Sequence, residues 1–347
     1  MEHFAEYKKQ NEPEKHKKAE NWGIAVGLQR VDNLTPSKYL IEVAKDNIEG
    51  KISIDEAEAQ ISRYYKENPA KTASEHNERE ADEVSARIAK LLSTHSFSFS
   101  PAELISIHKA LFSGIFKDEI AGKIRTYDIV KEEPVLNGAT VVYGRADSIM
   151  EMLAYDFNQE KNFNYKGLSK KEKIEQLAKF ASGIWQIHPF AEGNTRTTAV
   201  FIIKYLYTLG FETNNELFEK HSAYFRNALV RANYQNLNKN IYYTLEYLNK
   251  FFANLLSGEK NTLDSREMQI KDDLAVGAPK SSQKDSQKSS QKILEAAAEN
   301  PRVTTSELAA ALGVSRRTVA KHIAVLKEKG LIRRIGADRG GYWEVLK

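Results

Sequence analysis

From His188 to Arg196 the sequence reads His-Pro-Phe-Ala-Glu-Gly-Asn-Thr-Arg. Those residue types at that spacing can do phosphate chemistry. His188 can take a proton from an attacking hydroxyl. Glu192, four residues later, can hold Mg2+ against phosphate oxygens. Gly193, Asn194 and Thr195 begin a helix whose first-turn N–H groups have no intrahelical partner, and such a terminus binds anions. Gly193 lets a phosphate approach the backbone, and Arg196 adds a fixed positive charge in the first turn. A base, a metal carboxylate and a phosphate cradle in one short stretch are the parts of a phosphoryl- or nucleotidyl-transfer site. The competing reading is an ordinary His-Pro loop that feeds a buried helix, with Glu192 merely favouring the helix dipole.

The elements that must position these residues are mostly helical. The run Val200 to Leu209 is apolar enough to anchor the helix that starts at Gly193. Further helices are expected at 146–159, 169–187, 221–233 and 239–256, and two upstream over Glu78–His95 and Ser100–Phe116. Near the start, Thr35 followed by Pro36 predicts a helix entry, and Gly50 a helix stop. Ser53 with Glu56 three residues later is a capping box. The segment 127–143 differs in kind. Ile129-Val130 and Thr140-Val141-Val142-Tyr143 are β-prone, and Asn137-Gly138 between them is a turn signal, so a short β-hairpin is expected.

The stretch "HPFAEGNTR" resembles the signature of the Fic (fido) family, HPFx[D/E]GNGRxxR, and the surrounding helices and hairpin extend the likeness over roughly 74–256. Most members of that family transfer AMP from ATP to a hydroxyl side chain of a target protein, with Mg2+. The resemblance therefore implies His188 as general base, Glu192 as metal ligand, and Gly193, Asn194, Thr195 and Arg196 around the phosphates. It also implies the 127–143 hairpin as a flap that pairs with an extended target segment. "YFRNALVRAN" resembles the helix that borders the adenine in that family, which nominates Asn233 as a base contact and Phe225 as a packing partner; both also read as cap and core residues. Two positions depart from the signature. Thr195 replaces the second glycine, and Ala199 replaces the second arginine. The missing arginine removes a charge-assisted contact worth about 1.5–3 kcal/mol, so the donor nucleotide stays open.

Residues 1–67 resemble the antitoxin-like helical unit that silences many Fic proteins. In the segment "AVGLQR", Ala25 and Gln29 stand where the family's inhibitory helix carries Ser/Thr and Glu, so Gln29 is the expected regulatory position. The central domain is expected over 68–257, followed by a Ser/Gln/Lys-rich linker over 258–289. The last segment, 290–347, resembles a winged-helix domain. Thr304 or Thr305 caps one helix, Gly313 turns, and Ser315 caps a second helix that carries Arg316, Arg317, Thr318 and Lys321. Arg333-Arg334 and "GYWEVL" frame a wing of two short strands. The expected fold is thus mostly α, with the hairpin flap and a small winged helix-turn-helix.

Charge distribution supports that layout. Residues 289–347 hold 11 Lys+Arg and 6 Asp+Glu, whereas the remainder holds 40 and 41. Positive charge is concentrated at one end, as expected for a segment that meets DNA. There are no cysteines, which excludes a disulfide framework, thiolate metal sites and a cysteine nucleophile. No apolar run is long enough to span a bilayer, and the first 20 residues lack the apolar core of a leader. A cytoplasmic enzyme with a protein target, DNA as second partner and no membrane partner is expected, with a homodimer left open. The alternative from another class is a transcription regulator whose Fic domain senses a nucleotide without transferring it; a third reading keeps the enzyme but changes the nucleotide or removes AMP.

Overall fold

The computed structural model describes residues 3–116, 120–211 and 216–270, and in the C-terminal segment 292–301, 303–312, 319, 323, 326–327, 331–335 and 342–346. The chain forms two compact units, Met1–Asp272 and Asp273–Lys347.

The first unit is a helical assembly around one continuous core that runs in sequence from Phe4 to Met268. Its helices are α1 (Ala5–Lys8), α2 (Pro13–Leu28), α3 (Lys38–Ile48), α4 (Ile54–Glu67), α5 (Ala73–Ser93) and α6 (Pro101–Phe112). They continue with α7 (Ile149–Lys161), α8 (Lys170–Ile187), α9 (Asn194–Thr208), α10 (Glu216–Ala232) and α11 (Glu246–Ser257). Capping chemistry sets several starts. Ser53 with Glu56, Thr72 with Glu75 and Ser169 with Glu172 all form reciprocal capping boxes, each satisfying two otherwise free backbone groups. For α3 the cap is Ser37 rather than Thr35: its hydroxyl accepts from Leu40 N, while its own N–H and O–H both donate to the buried Asp82. Gly50, at φ +80°, follows the end of α3 in the left-handed region.

α2 packs against α5 and α10. A Cβ on Gly27 would lie 2.4 Å from the Glu219 Cα, so only glycine allows the two helix backbones to approach this closely. Ser222 Oγ crosses the same seam to donate to Gly27 O at 2.6 Å. The N-terminal helices and the Fic-like helices therefore share their apolar interior.

Two expectations change. The 127–143 segment reverses at Asn137 and Gly138, both at positive φ, but it is not a laddered hairpin. Pro134–Leu136 form a 3-10 turn, Glu133 N donates to Ala139 O at 2.9 Å, and Lys131 N donates to the Thr140 hydroxyl instead of a carbonyl. Proline has no N–H for a ladder, and a side chain has taken the next rung. The second change concerns 258–270, expected as linker. Met268 is buried, and Ile270 N donates to Val135 O at 2.8 Å. Leu263 and Ile270 also pack against the core, so three spaced apolar residues dock an otherwise polar run. Of the expected linker, 271–289 lies outside the described residues.

The second unit has helices α12 (292–299) and α13 (Thr305–Leu312), and an antiparallel pair β1 (Ile332–Ile335) and β2 (Tyr342–Val345). Thr304 caps α13, exchanging hydrogen bonds with Glu307. Ile293, Leu308, Val319, Ile323, Leu326, Ile332 and Trp343 make its core, and the Trp343 indole N–H donates to Val303 O. The Thr304 cap and the two strands fall where the winged-helix reading put them; Gly313 and Ser315 lie outside the described residues.

Candidate active site

His188 terminates α8 and sits in the left-handed region at φ +50°, ψ +60°. Its Nδ1 lies 3.2 Å from Trp185 O. A carbonyl can only accept, so Nδ1 carries the proton and Nε2 keeps its lone pair. The ring is 4% exposed, packed against Tyr143 at 4.4 Å and Trp185 at 5.3 Å between centroids. Burial, followed by the positive charge of Lys131, holds its pKa well below that of an ordinary histidine. The imidazole is therefore neutral at neutral pH, and it can accept a proton.

The backbone that holds His188 depends on Arg125. This side chain is fully buried, and its guanidinium donates to His188 O at 2.8 Å, Tyr127 O at 2.7 Å and Ile187 O at 3.2 Å, and also to Gly144 O. Arg125 N donates to Pro189 O at 2.9 Å. One cation thus ties both arms of the 127–143 segment to the motif loop. Lys131 adds a second tie, its Nζ lying 3.3 Å from Ala191 O and 3.2 Å from Glu192 Oε2.

His108 supports the loop from beneath. It stacks on Phe190 at 3.8 Å, accepts from Gly122 N through Nδ1 and donates through Nε2 to Glu192 O at 3.0 Å. Burial lowers its pKa to about 4. A depressed histidine stabilises the fold fully above the unfolded value near 6.5 and loses that contribution as pH falls toward 4. Acid titration of the full chain should show stability declining by about 1 kcal/mol per pH unit from His108 over that window. A His108→Gln variant should flatten this slope; an unchanged slope would remove His108 from the loop's acid sensitivity.

Several expected roles are revised by where the side chains sit. A Cβ on Gly193 would meet the Phe112 ring at 2.4 Å, and its φ is +74°; glycine is required there by the core and the turn, not by ligand approach. The Asn194 amide is taken up by the loop, accepting from Phe190 N and donating to Phe190 O, which leaves its backbone N–H for an anion. Thr195 points away from the helix mouth, its hydroxyl accepting the Trp185 indole N–H at 3.0 Å. Ala199 is fully buried. Arg196 is 2% exposed and clamped. Its Nη2 donates to Glu80 at 2.6 Å and its Nη1 to Gln29 Oε1 at 3.1 Å, while Nε lies 2.8 Å from Asp32 Oδ2 without good alignment. Gln29 therefore does reach the motif helix, but at its first arginine, and Asp32 rather than Gln29 brings a carboxylate from that segment.

Glu192, Lys131, Arg196 and Arg226 line one cleft of about 690 Å³. Arg226 is paired with Glu133 at 2.7 Å, and Glu133 also accepts from Tyr143. Asn233 lies elsewhere. Its amide donates to Ser182 and to Leu229 O, and it lines a separate cavity of about 830 Å³ with Gln186 and Ile187. Phe225 is a core residue packed on Phe218, Phe251 and Phe252. Arg316, Arg317, Thr318 and Lys321 lie outside the described residues. Sequence reasoning missed Arg125, Lys131, Asp32, Glu80 and His108. Only Arg125 left a trace, as a lone charge between Ile124 and Tyr127 in an otherwise β-prone run.

A model described as the Fic/DOC family matches residues 98–206, and one described as winged helix-turn-helix DNA-binding matches 287–333. A curated relative, "Protein adenylyltransferase VbhT" of Bartonella schoenbuchensis (strain DSM 13525 / NCTC 13165 / R1), is 28% identical over 150 residues. That stretch is 40% of this chain and spans 30% of the relative's length. Among solved structures, the N-terminal FIC domain of Bep8 from Bartonella sp. 1-1C matches with a TM-score of 0.42 and 18% identity, covering 55% of this chain and 88% of that one. A Fic family protein from Desulfovibrio desulfuricans G20 matches with a TM-score of 0.44 and 16% identity, covering 95% and 87%. The chain thus carries a Fic/DOC-family domain at 98–206, containing the His188–Arg196 loop, and a C-terminal winged helix-turn-helix domain.

Proposed function

We propose that the Fic/DOC domain transfers AMP from ATP to a Ser, Thr or Tyr hydroxyl of a target protein. The observation that carries this reading is His188, held neutral with Nε2 free on the loop that leads into the open N-terminus of α9. Nε2 takes the hydroxyl proton as that oxygen attacks the α-phosphorus. The bond from the α-phosphorus to the bridging oxygen breaks, and pyrophosphate leaves with its electron pair. The first-turn N–H groups of α9, starting at Asn194, face the charge that develops on the phosphate. Glu192, whose side chain is 58% exposed at the cleft, would hold Mg2+. Phosphate oxygens and water would complete the coordination of such a metal. Bound there, Mg2+ would neutralise phosphate charge.

The exposed Val130 and Val142 on the 127–143 arms suit docking of an extended target segment. The winged-helix domain is proposed to bind DNA through the segment that carries Arg316, Arg317, Thr318 and Lys321. No helix among the described residues is long and apolar enough to cross a membrane, and a cytoplasmic site of action is part of the same reading.

The clamp on Arg196 favours a second element: residues 1–67, with Glu80, restrain the site. Its release by Asp32→Asn with Glu80→Gln should raise ATP affinity roughly 3- to 10-fold, the clamped state being the majority form that a nucleotide must displace. Calorimetric titration of ATP into parent and double variant checks this; equal affinities would make the clamp purely structural. The same clamp and Ala199 also favour the rival reading, a regulator that binds nucleotide without transfer. Intact-mass measurement of chain and candidate targets after incubation with ATP and Mg2+ decides between them. A gain of one AMP supports transfer, and binding without a mass gain supports sensing.

A further inference from the structure

We propose that Lys131 is a phosphate-binding residue, supplying from the 127–143 segment the positive charge that α9 lacks at Ala199. This rests on the nucleotide-binding reading above. Among the described residues, four cations line the cleft: Arg30, Lys131, Arg196 and Arg226. Each is engaged by the chain itself, but not equally firmly. Arg226 is held by Glu133, which is 1% exposed, and opening that pair would strand a buried carboxylate. Arg196 is itself buried and gripped from three directions. Arg30 gives Nη1 to the backbone oxygen of Glu219, at the α2–α10 seam.

Lys131 differs from Arg196 and Arg226 in that both it and its ionic partner reach solvent, and from Arg30, which is also exposed, in that it stands against the motif loop. Its side chain is 30% exposed and its ionic partner, Glu192, is 58% exposed. A solvent-exposed ion pair of this kind is worth about 0–1 kcal/mol, so exchanging its carboxylate for a phosphate oxygen meets little resistance. The ammonium is a compact charge on a flexible four-carbon stem, free to swing once released. It also sits at the right place. Its second contact is Ala191 O, two residues before Gly193, the N-cap of α9. The lysine thus stands at the lip of the loop that leads into the helix terminus at Asn194. An arginine at 199 would have to emerge from a fully buried position; a lysine from the facing segment avoids that. Glu192 satisfies the ammonium here, and a polyphosphate would take its place while Glu192 turns to the metal. Phosphate binding then also draws the 127–143 segment onto the motif loop.

The test uses the purified full chain with Lys131→Met and Lys131→Arg, titrated with ATP and, by displacement, adenosine. Lys131→Met should weaken ATP roughly 10-fold or more, as expected for loss of a charge-assisted hydrogen bond, with adenosine unchanged, and Lys131→Arg should restore ATP affinity to within roughly 3-fold. Unchanged ATP affinity in Lys131→Met overturns the proposal. So does an equal loss for ATP and adenosine, which would make Lys131 a latch for the segment only. A parent chain that binds no nucleotide sinks both this inference and the transfer reading; a parent that binds ATP without transferring it sinks transfer alone.

Discussion

His188→Ala should lower AMP transfer by about 10²–10⁴-fold, the usual consequence of removing a general base. ATP affinity should stay near the parental value, because His188 does not line the cleft that holds Arg196 and Glu192. The ring fills space between Tyr143 and Trp185, so stability should fall by about 1–3 kcal/mol. His188→Asn, closer in shape, separates lost packing from lost chemistry. The parental pH profile carries a second signature. Because burial depresses the imidazole pKa, the base stays unprotonated below pH 6.5, the ordinary histidine value. Transfer should therefore hold steady through that pH and fail only at lower pH, as the base takes up its proton. Transfer by His188→Ala at the parental rate would remove this residue from the chemistry.

Arg125→Met should be the most damaging change outside the motif. It leaves four carbonyl oxygens, those of Tyr127, Gly144, Ile187 and His188, without their shared donor. Buried acceptors left unmet cost about 1–3 kcal/mol each, although relaxation and water recover part of that. A loss of roughly 3 kcal/mol or more in global stability is expected, read from chemical denaturation. Arg125→Lys can satisfy fewer of the four, since it lacks the planar fork, and should recover part of the stability. In the lysine variant, the turnover number should fall more than ATP affinity, because the guanidinium shapes the backbone at His188 and not the phosphate cleft. A lysine variant with parental turnover would limit Arg125 to stability.

Much of this protein was legible in its residues because the signals are local. The box Ser53–Glu56 needs only three-residue spacing and forms as written. The helix at Asn194 follows from Gly193 and the apolar run behind it. His188 and Glu192 stand out by type and spacing, and the Thr304 cap and the strands around Trp343 follow the same short-range rules. The hairpin was half legible: Asn137-Gly138 do turn the chain, but strand pairing depends on what each N–H meets across the turn.

Those residues by themselves determined a helical chain with a phosphate-type loop and a basic terminal module. Only the tertiary structure decided what the loop's side chains do. Glu80 lies 116 residues and Gln29 167 residues from the Arg196 they bind, and no periodicity reports a contact at that separation. Thr195 looked like bulk against a phosphate until the Trp185 indole claimed its hydroxyl. The Asn194 amide closes the loop on Phe190, so only its backbone N–H is left to meet an anion. The physical reason is common to these cases. A buried polar group must find a partner, and which partner it finds depends on which distant backbone the packing of α2, α5, α8 and α9 brings within reach.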